Sequence, residues 1–158
     1  MNRLYILLTG MVAMVGALFA GHEAVAEVLT GTGGEDRLIG TNRADRLTGR
    51  AGEDLLKGLR GADRLQGSRG EDHLKGNSGN DRIWGSRGED VIFPGEGNDK
   101  VYAGYGDDLI YARDTEGVDY IDCGPGRDQV ETIHRDDVTL SNCERALGPD
   151  RGHIETDG

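Results

Sequence analysis

From Gly31 the sequence repeats every nine residues, as GTGGEDRLI, GTNRADRLT, GRAGEDLLK, GLRGADRLQ, GSRGEDHLK, GNSGNDRIW, GSRGEDVIF, PGEGNDKVY and AGYGDDLIY. After Tyr111 the register slips by two residues, then resumes as DTEGVDYID from Asp114 and CGPGRDQVE from Cys123. The sixth place of the repeat is always aspartate: Asp36, Asp45, Asp54, Asp63, Asp72, Asp81, Asp90, Asp99, Asp108, Asp119 and Asp128. The eighth is always aliphatic: Leu38, Leu47, Leu56, Leu65, Leu74, Ile83, Ile92, Val101, Ile110, Ile121 and Val130. A period this strict means that one short structural unit is stacked many times.

The unit is not helical. Glycine recurs once or more in nearly every nonapeptide, and each costs about 1 kcal/mol in a helix interior. What remains is a glycine-rich turn followed by a short strand, with the aliphatic residue pointing in and its neighbours pointing out. Each turn reverses the chain, so alternate repeats lie on opposite sides. Repeats n and n+2 then stack in parallel, roughly 4.8 Å apart. The expected fold is all-β.

In its glycines, its aspartate and its aliphatic residue, the nonapeptide resembles the RTX, or haemolysin-type, calcium-binding repeat, and the resemblance covers residues 31–130. It implies a parallel β-roll, a kind of β-solenoid. It also implies that calcium sits between stacked turns, held by the sixth-place carboxylates and by backbone carbonyls. Carried over residue by residue, the eleven aspartates named above are the candidate ligands.

Electrostatics supports that assignment. Two carboxylates about 5 Å apart repel by roughly 1 kcal/mol in water and about 3 kcal/mol at an effective dielectric of 20. A stacked column of them needs a cation, and calcium accepts six to eight oxygens in flexible geometry. The simpler reading, in which aspartate only makes turns, suits a single copy better than eleven in register. Counting gaps between turns of equal parity, four on one side and three on the other, gives about seven calcium ions. At tenfold saturation these would contribute on the order of 10 kcal/mol, comparable to the stability of a typical domain. The chain is therefore expected to fold on calcium.

Two departures from the repeat stand out. The second place is glycine only at Gly95, Gly104 and Gly124, and the fourth place of the second repeat is Arg43, where a left-handed backbone would cost roughly 1 kcal/mol. The site between the turns that begin at Gly40 and Gly58 is thus expected to be the weakest.

The ends differ from the array. Residues 1–26 combine a short basic start, an apolar run and the small-residue pattern AVAE, the marks of a secretory signal peptide cleaved after Ala26. The apolar run is long enough that an uncleaved anchor is the alternative. Residues 27–130 form the repeat domain and 131–158 a C-terminal cap and tail. The segment from Ile121 to Leu147 also resembles the terminal cap of small exported bacterial calcium-binding repeat proteins. An N-terminal leader points to the general secretory route, whereas many RTX proteins use a C-terminal export signal. Cys123 and Cys143 fall at the first and third places of successive turns on one side, close enough for a disulfide that closes the cap. The net charge of −11 argues against nucleic acid as a partner, and no stable membrane insertion is expected once the leader is gone.

A period of eighteen lies over the period of nine. The fifth place is acidic at Glu35, Glu53, Glu71, Glu89 and Asp107 but Ala or Asn at 44, 62, 80 and 98. The seventh place of the alternate repeats carries Arg46, Arg64, Arg82 and Lys100, a column that either stays solvated or docks an anionic glycan or wall polymer. Trp84, Phe93, Tyr102 and Tyr111 hold the ninth place late in the array, where packing against the cap or stacking on sugars would use them. His73, His134 and His153 share no spacing with a nucleophile, and no singular acid–base pair stands apart from the repeat. The expectation is a secreted, extracellular or cell-surface, non-enzymatic calcium-binding protein with a structural or adhesive role. The alternative is a module that binds an extracellular glycan or surface polymer.

Overall fold

The computed structural model describes residues 26–113, 117–132, 138–143 and 145–147; the expected leader lies outside these residues apart from Ala26, as do His134 and His153. Each nonapeptide makes one strand and one turn. In chain order the strands are β1 (Val28–Thr30), β2 (Arg37–Ile39), β3 (Arg46–Ala51), β4 (Leu55–Arg60), β5 (Arg64–Arg69), β6 (His73–Ser78) and β7 (Arg82–Arg87). They continue as β8 (Val91–Glu96), β9 (Lys100–Tyr105), β10 (Leu109–Ala112), β11 (Asp119–Asp122), β12 (Gln129–Thr132), β13 (Val138–Ser141) and β14 (Arg145–Leu147). Odd strands form one parallel sheet and even strands the other. The fold is an all-β parallel solenoid, as the repeat implies.

Register follows from the period. Leu47, Leu65, Ile83 and Val101 face one another along the odd sheet, and Leu38, Leu56, Leu74 and Ile92 along the even one. All eight are buried, and with their counterparts further along they form a core of one aliphatic side chain per strand. The two-residue slip after Tyr111 does not break the stack. Asp99 bonds Asp119 across twenty residues where Asp81 bonds Asp99 across eighteen, so β11 still pairs β9 and β12 still pairs β10. Strands β13 and β14 extend both sheets beyond the last glycine-rich repeat.

The first place of each repeat also points inward. It is a buried glycine at Gly49, Gly58, Gly67, Gly76 and Gly85, but Ala103 and Cys123 later, both fully buried in the core. Cys123 bonds Cys143, with Cα atoms 5.1 Å apart, and so ties β11 to the turn beyond β13. Apolar contact and covalent closure are concentrated at the C-terminal end.

The strained backbone lies elsewhere than the sequence suggests. Arg43 is not among the described residues with positive φ. Instead the second place adopts it at Arg50, Leu59, Ser68, Asn77 and Ser86, with φ of 91°, 86°, 98°, 77° and 93°. A left-handed backbone costs a side-chain-bearing residue roughly 1–2 kcal/mol. Leu59→Gly is therefore expected to raise the urea midpoint of the calcium-loaded protein, by roughly 0.5–1 kcal/mol in stability after the added freedom of the unfolded chain is deducted. An unchanged or lower midpoint would mean that the turn holds Leu59 without strain.

Candidate metal centre

The turns bring the sixth-place aspartates into two buried columns. Asp45 through Asp128 are all buried, and only Asp36, in the first turn, is half-buried. Each side chain stands at the start of a strand, where alternation with the aliphatic residue two places on directs both inward.

One oxygen of each carboxylate has a structural task. The backbone N–H of Asp54 donates to Oδ1 of Asp72 (2.9 Å), that of Asp63 to Asp81 (2.8 Å) and that of Asp72 to Asp90 (2.9 Å). The same link runs from Asp36 to Asp54, from Asp45 to Asp63 and from Asp81 onward to Asp128. Each aspartate thus caps the preceding turn on its own side. Spacing alone does not reveal this; it depends on the rotamer that stacking imposes.

The second oxygen is different. Oδ2 of Asp54, Asp63, Asp72, Asp81, Asp90 and Asp108 is buried without a hydrogen-bond partner. Such atoms are costly unless something else satisfies them. Those of Asp54, Asp63, Asp72, Asp81 and Asp90 lie against the first-place glycines of their turns. A Cβ added to Gly49 would strike Oδ2 of Asp54 and, at 2.9 Å, the carbonyl oxygen of Gly67; one added to Gly58 would strike Oδ2 of Asp63 and the carbonyl of Gly76. At these turns, carboxylate and carbonyl oxygens of adjacent repeats therefore approach a place that a Cβ would fill.

The first two turns are built otherwise. Oδ2 of Asp36 accepts from the backbone N–H (2.5 Å) and hydroxyl (3.0 Å) of Thr32, and Oδ2 of Asp45 accepts the same pair from Thr41, at 2.5 and 2.9 Å. Threonine at the second place does not take the left-handed backbone of the later turns and closes on the carboxylate instead. The difference at the N-terminal end thus arises from Thr32 and Thr41 rather than from Arg43.

Burial dominates the electrostatics. It raises the Asp54, Asp81 and Asp108 carboxyls to about 6, Asp63 to about 7 and Asp90 to about 8. The backbone hydrogen bond to each opposes the rise. For Asp54, Asp63, Asp90 and Asp108, neighbouring carboxylates in the column add to it. Burial also raises Asp72, against its N–H bond and the adjacent His73.

This donor set fits a hard, oxygen-seeking cation. It consists of carboxylate and carbonyl oxygens alone, with orphaned buried carboxylate atoms among them. No three acidic, histidine or cysteine side chains among the described residues gather as a metal-holding group. A cation here would take most of its oxygens from the backbone. Sequence reasoning expected backbone carbonyls beside the carboxylates without placing them; the structure brings first-place carbonyls such as those of Gly67 and Gly76 nearest to the carboxylates. His73 is exposed on the outer face and takes no part.

Outside the columns, the odd sheet carries Arg46, Arg64, Arg82 and Lys100 in register, all exposed. The acidic fifth-place residues line one edge, also exposed. The late aromatics contact one another: Trp84 stacks on Tyr102 at 5.9 Å on the odd sheet, and Phe93 on Tyr111 at 4.8 Å on the even one. They form ladders along the sheets, so packing on a cap is not needed to explain them.

A search for similar curated proteins found no match. Comparison with protein families matched the RTX calcium-binding nonapeptide repeat in four copies, at residues 30–65, 57–92, 66–101 and 93–130. These copies cover most of the chain and coincide with the stacked turns, and the buried oxygens between those turns suit the ion the family binds. The chain belongs to the RTX calcium-binding nonapeptide repeat family.

Proposed function

We propose that this is an exported, non-enzymatic protein that folds on binding about seven calcium ions and acts outside the cell as a structural or adhesive element. The observation that carries the reading is the series of buried, unpartnered Oδ2 atoms facing carbonyl oxygens across the turn gaps. In this reading all eleven sixth-place aspartates are ligands. Asp36 and Asp45 hold calcium least tightly, because Thr32 and Thr41 already engage them. Residues 1–26 serve as the leader, 27–130 as the calcium-binding roll and 131–158 as the cap and tail. The leader and the disulfide between Cys123 and Cys143 together support an oxidising, extracellular destination.

Equilibrium dialysis of residues 27–158 against calcium at pH 7.5 tests this. Binding of about seven ions per chain is expected, whereas one or none would refute the array as a set of calcium sites.

A second reading is favoured by one feature. Arg46, Arg64, Arg82 and Lys100 stand in register on the outer odd sheet, and none forms an ion pair with another described residue. In an acidic chain, an uncompensated cation column supports binding of an extracellular glycan or surface polymer.

A further inference from the structure

The outer face of the odd sheet carries two parallel columns. In one, the seventh-place cations Arg46, Arg64, Arg82 and Lys100 succeed one another at the strand spacing of roughly 4.8 Å. In the other, Thr48 and Gln66 give way in register to Trp84 and Tyr102. Small and flexible side chains followed by a broad ring leave a trough of about 340 Å³, lined by Arg46, Thr48, Arg64, Gln66 and Trp84. Leu47 and Leu65 complete its lining beside the two guanidinium groups and the indole. The Trp84 and Tyr102 rings are within 10° of parallel and are only half-buried, so the ladder presents an aromatic surface beside the cations.

The electrostatics of the interior recur on this face with the sign reversed. Like charges stacked at this spacing repel by about 1 kcal/mol per neighbouring pair even in water. Inside, the column is acidic and suits a cation. Outside, it is basic, and no acid among the described residues offsets it. The chain carries 29 acidic against 18 basic residues, so four consecutive cations on one line are not a by-product of composition.

The complementary ligand is linear, carries one anion per step of roughly a strand spacing, and presents a face that stacks on aromatic rings. A polyphosphate chain is linear and anionic, but its charges are more closely spaced than the strands and it has no ring face to lay on Trp84 or Tyr102. A chain of uronic acid sugars meets all three. Each sugar offers one carboxylate to a guanidinium and an apolar ring face to Trp84 or Tyr102.

We propose that this trough binds a linear polysaccharide bearing one carboxylate per sugar residue, with Arg46 and Arg64, the two cations that line it, as the anion contacts and Trp84 as the stacking platform. The proposal rests on the glycan-binding reading above and narrows it to one class and one surface.

Trp84 is the only tryptophan in the chain, so its fluorescence reports occupancy directly. The probes are a hexamer of galacturonic acid, a neutral glucose hexamer, a sulfated heparin hexasaccharide and a single-stranded DNA 20-mer, added to residues 27–158 in saturating calcium. The acidic hexamer is expected to change Trp84 emission and to bind more tightly than the other three, with affinity falling as salt rises. Arg46→Gln with Arg64→Gln should weaken it about tenfold while the calcium-loaded circular dichroism stays unchanged. Calcium bridging between the hexamer and the acidic edge would survive that double substitution, so undiminished binding overturns the proposal. Equal binding of the neutral hexamer, or tighter binding of heparin or DNA, also overturns it. Of these, equal neutral binding leaves the broader glycan reading standing, whereas failure of every saccharide removes both.

Discussion

Acidifying the metal-free protein from pH 8 to pH 5 is expected to increase its β-sheet content. The Asp54, Asp63, Asp81, Asp90 and Asp108 carboxyls are raised to between about 6 and about 8 in the roll, against 3.8 ordinarily. Between the ordinary and the raised values the folded chain binds more protons than the unfolded one, so folding stability falls as pH rises. The contribution is fully present below pH 4 and is lost through the range from about 6 to about 8. A tenfold gain in one carboxyl's proton affinity on folding is worth about 1.4 kcal/mol, and whole domains are stable by only about 5–15 kcal/mol. Five such groups decide whether the metal-free roll forms. Calcium reverses the dependence, because it needs the deprotonated oxygens; its folding midpoint should move to higher concentration as pH falls from 8 to 5. Circular dichroism at fixed calcium and varied pH checks both signs. Metal-free β content that declines over the same acidification would contradict the burial argument.

Replacing Asp72 separates its two oxygens. In Asp72→Asn the amide oxygen can still accept the Asp54 N–H, while the amide nitrogen replaces the orphaned Oδ2 and can donate to a carbonyl. The metal-free variant should be about 1–2 kcal/mol more stable than the parent, since a buried unpaired acceptor is removed. It should also bind about one calcium ion fewer and require more calcium to fold. Asp72→Ala loses both functions and leaves the Asp54 N–H unpaired, so it should be destabilised by about 1–3 kcal/mol with or without calcium. Urea unfolding in chelator and in calcium distinguishes the two variants. If Asp72→Asn responds to calcium as the parent does, the aspartates serve the turns alone.

Much of this was legible in the sequence because the period is local. An aliphatic residue at the eighth place of each repeat, from Leu38 to Val130, sets the side that each strand buries. A parity of two then sets which repeats pair, and the structure follows both. The pairing of Cys123 with Cys143 followed from the same count. Other features depend on three-dimensional contact rather than on pattern. Oδ1 of Asp72 reaches the Asp54 N–H only because stacking fixes its rotamer. Thr41 closes on Asp45 because a β-branched residue at the second place resists the left-handed turn that Leu59 accepts. Arg43 stands where the repeat has glycine, but the first two turns do not use that geometry. The trough beside Trp84 arises from the order Thr48, Gln66, Trp84 down one column, which becomes visible only when residues eighteen apart are brought side by side.

The central claim is that calcium satisfies the buried aspartate columns and thereby folds the chain. Far-UV circular dichroism of residues 27–158 at pH 7.5, titrated from chelator to about 10 mM calcium with magnesium in parallel, tests it most directly. Calcium tolerates the six to eight irregular oxygens the turns can offer, whereas magnesium demands a tight octahedron. A cooperative gain of β signal with calcium and little or none with magnesium is the predicted result. A spectrum already fully β in chelator, and unmoved by calcium, would contradict the account.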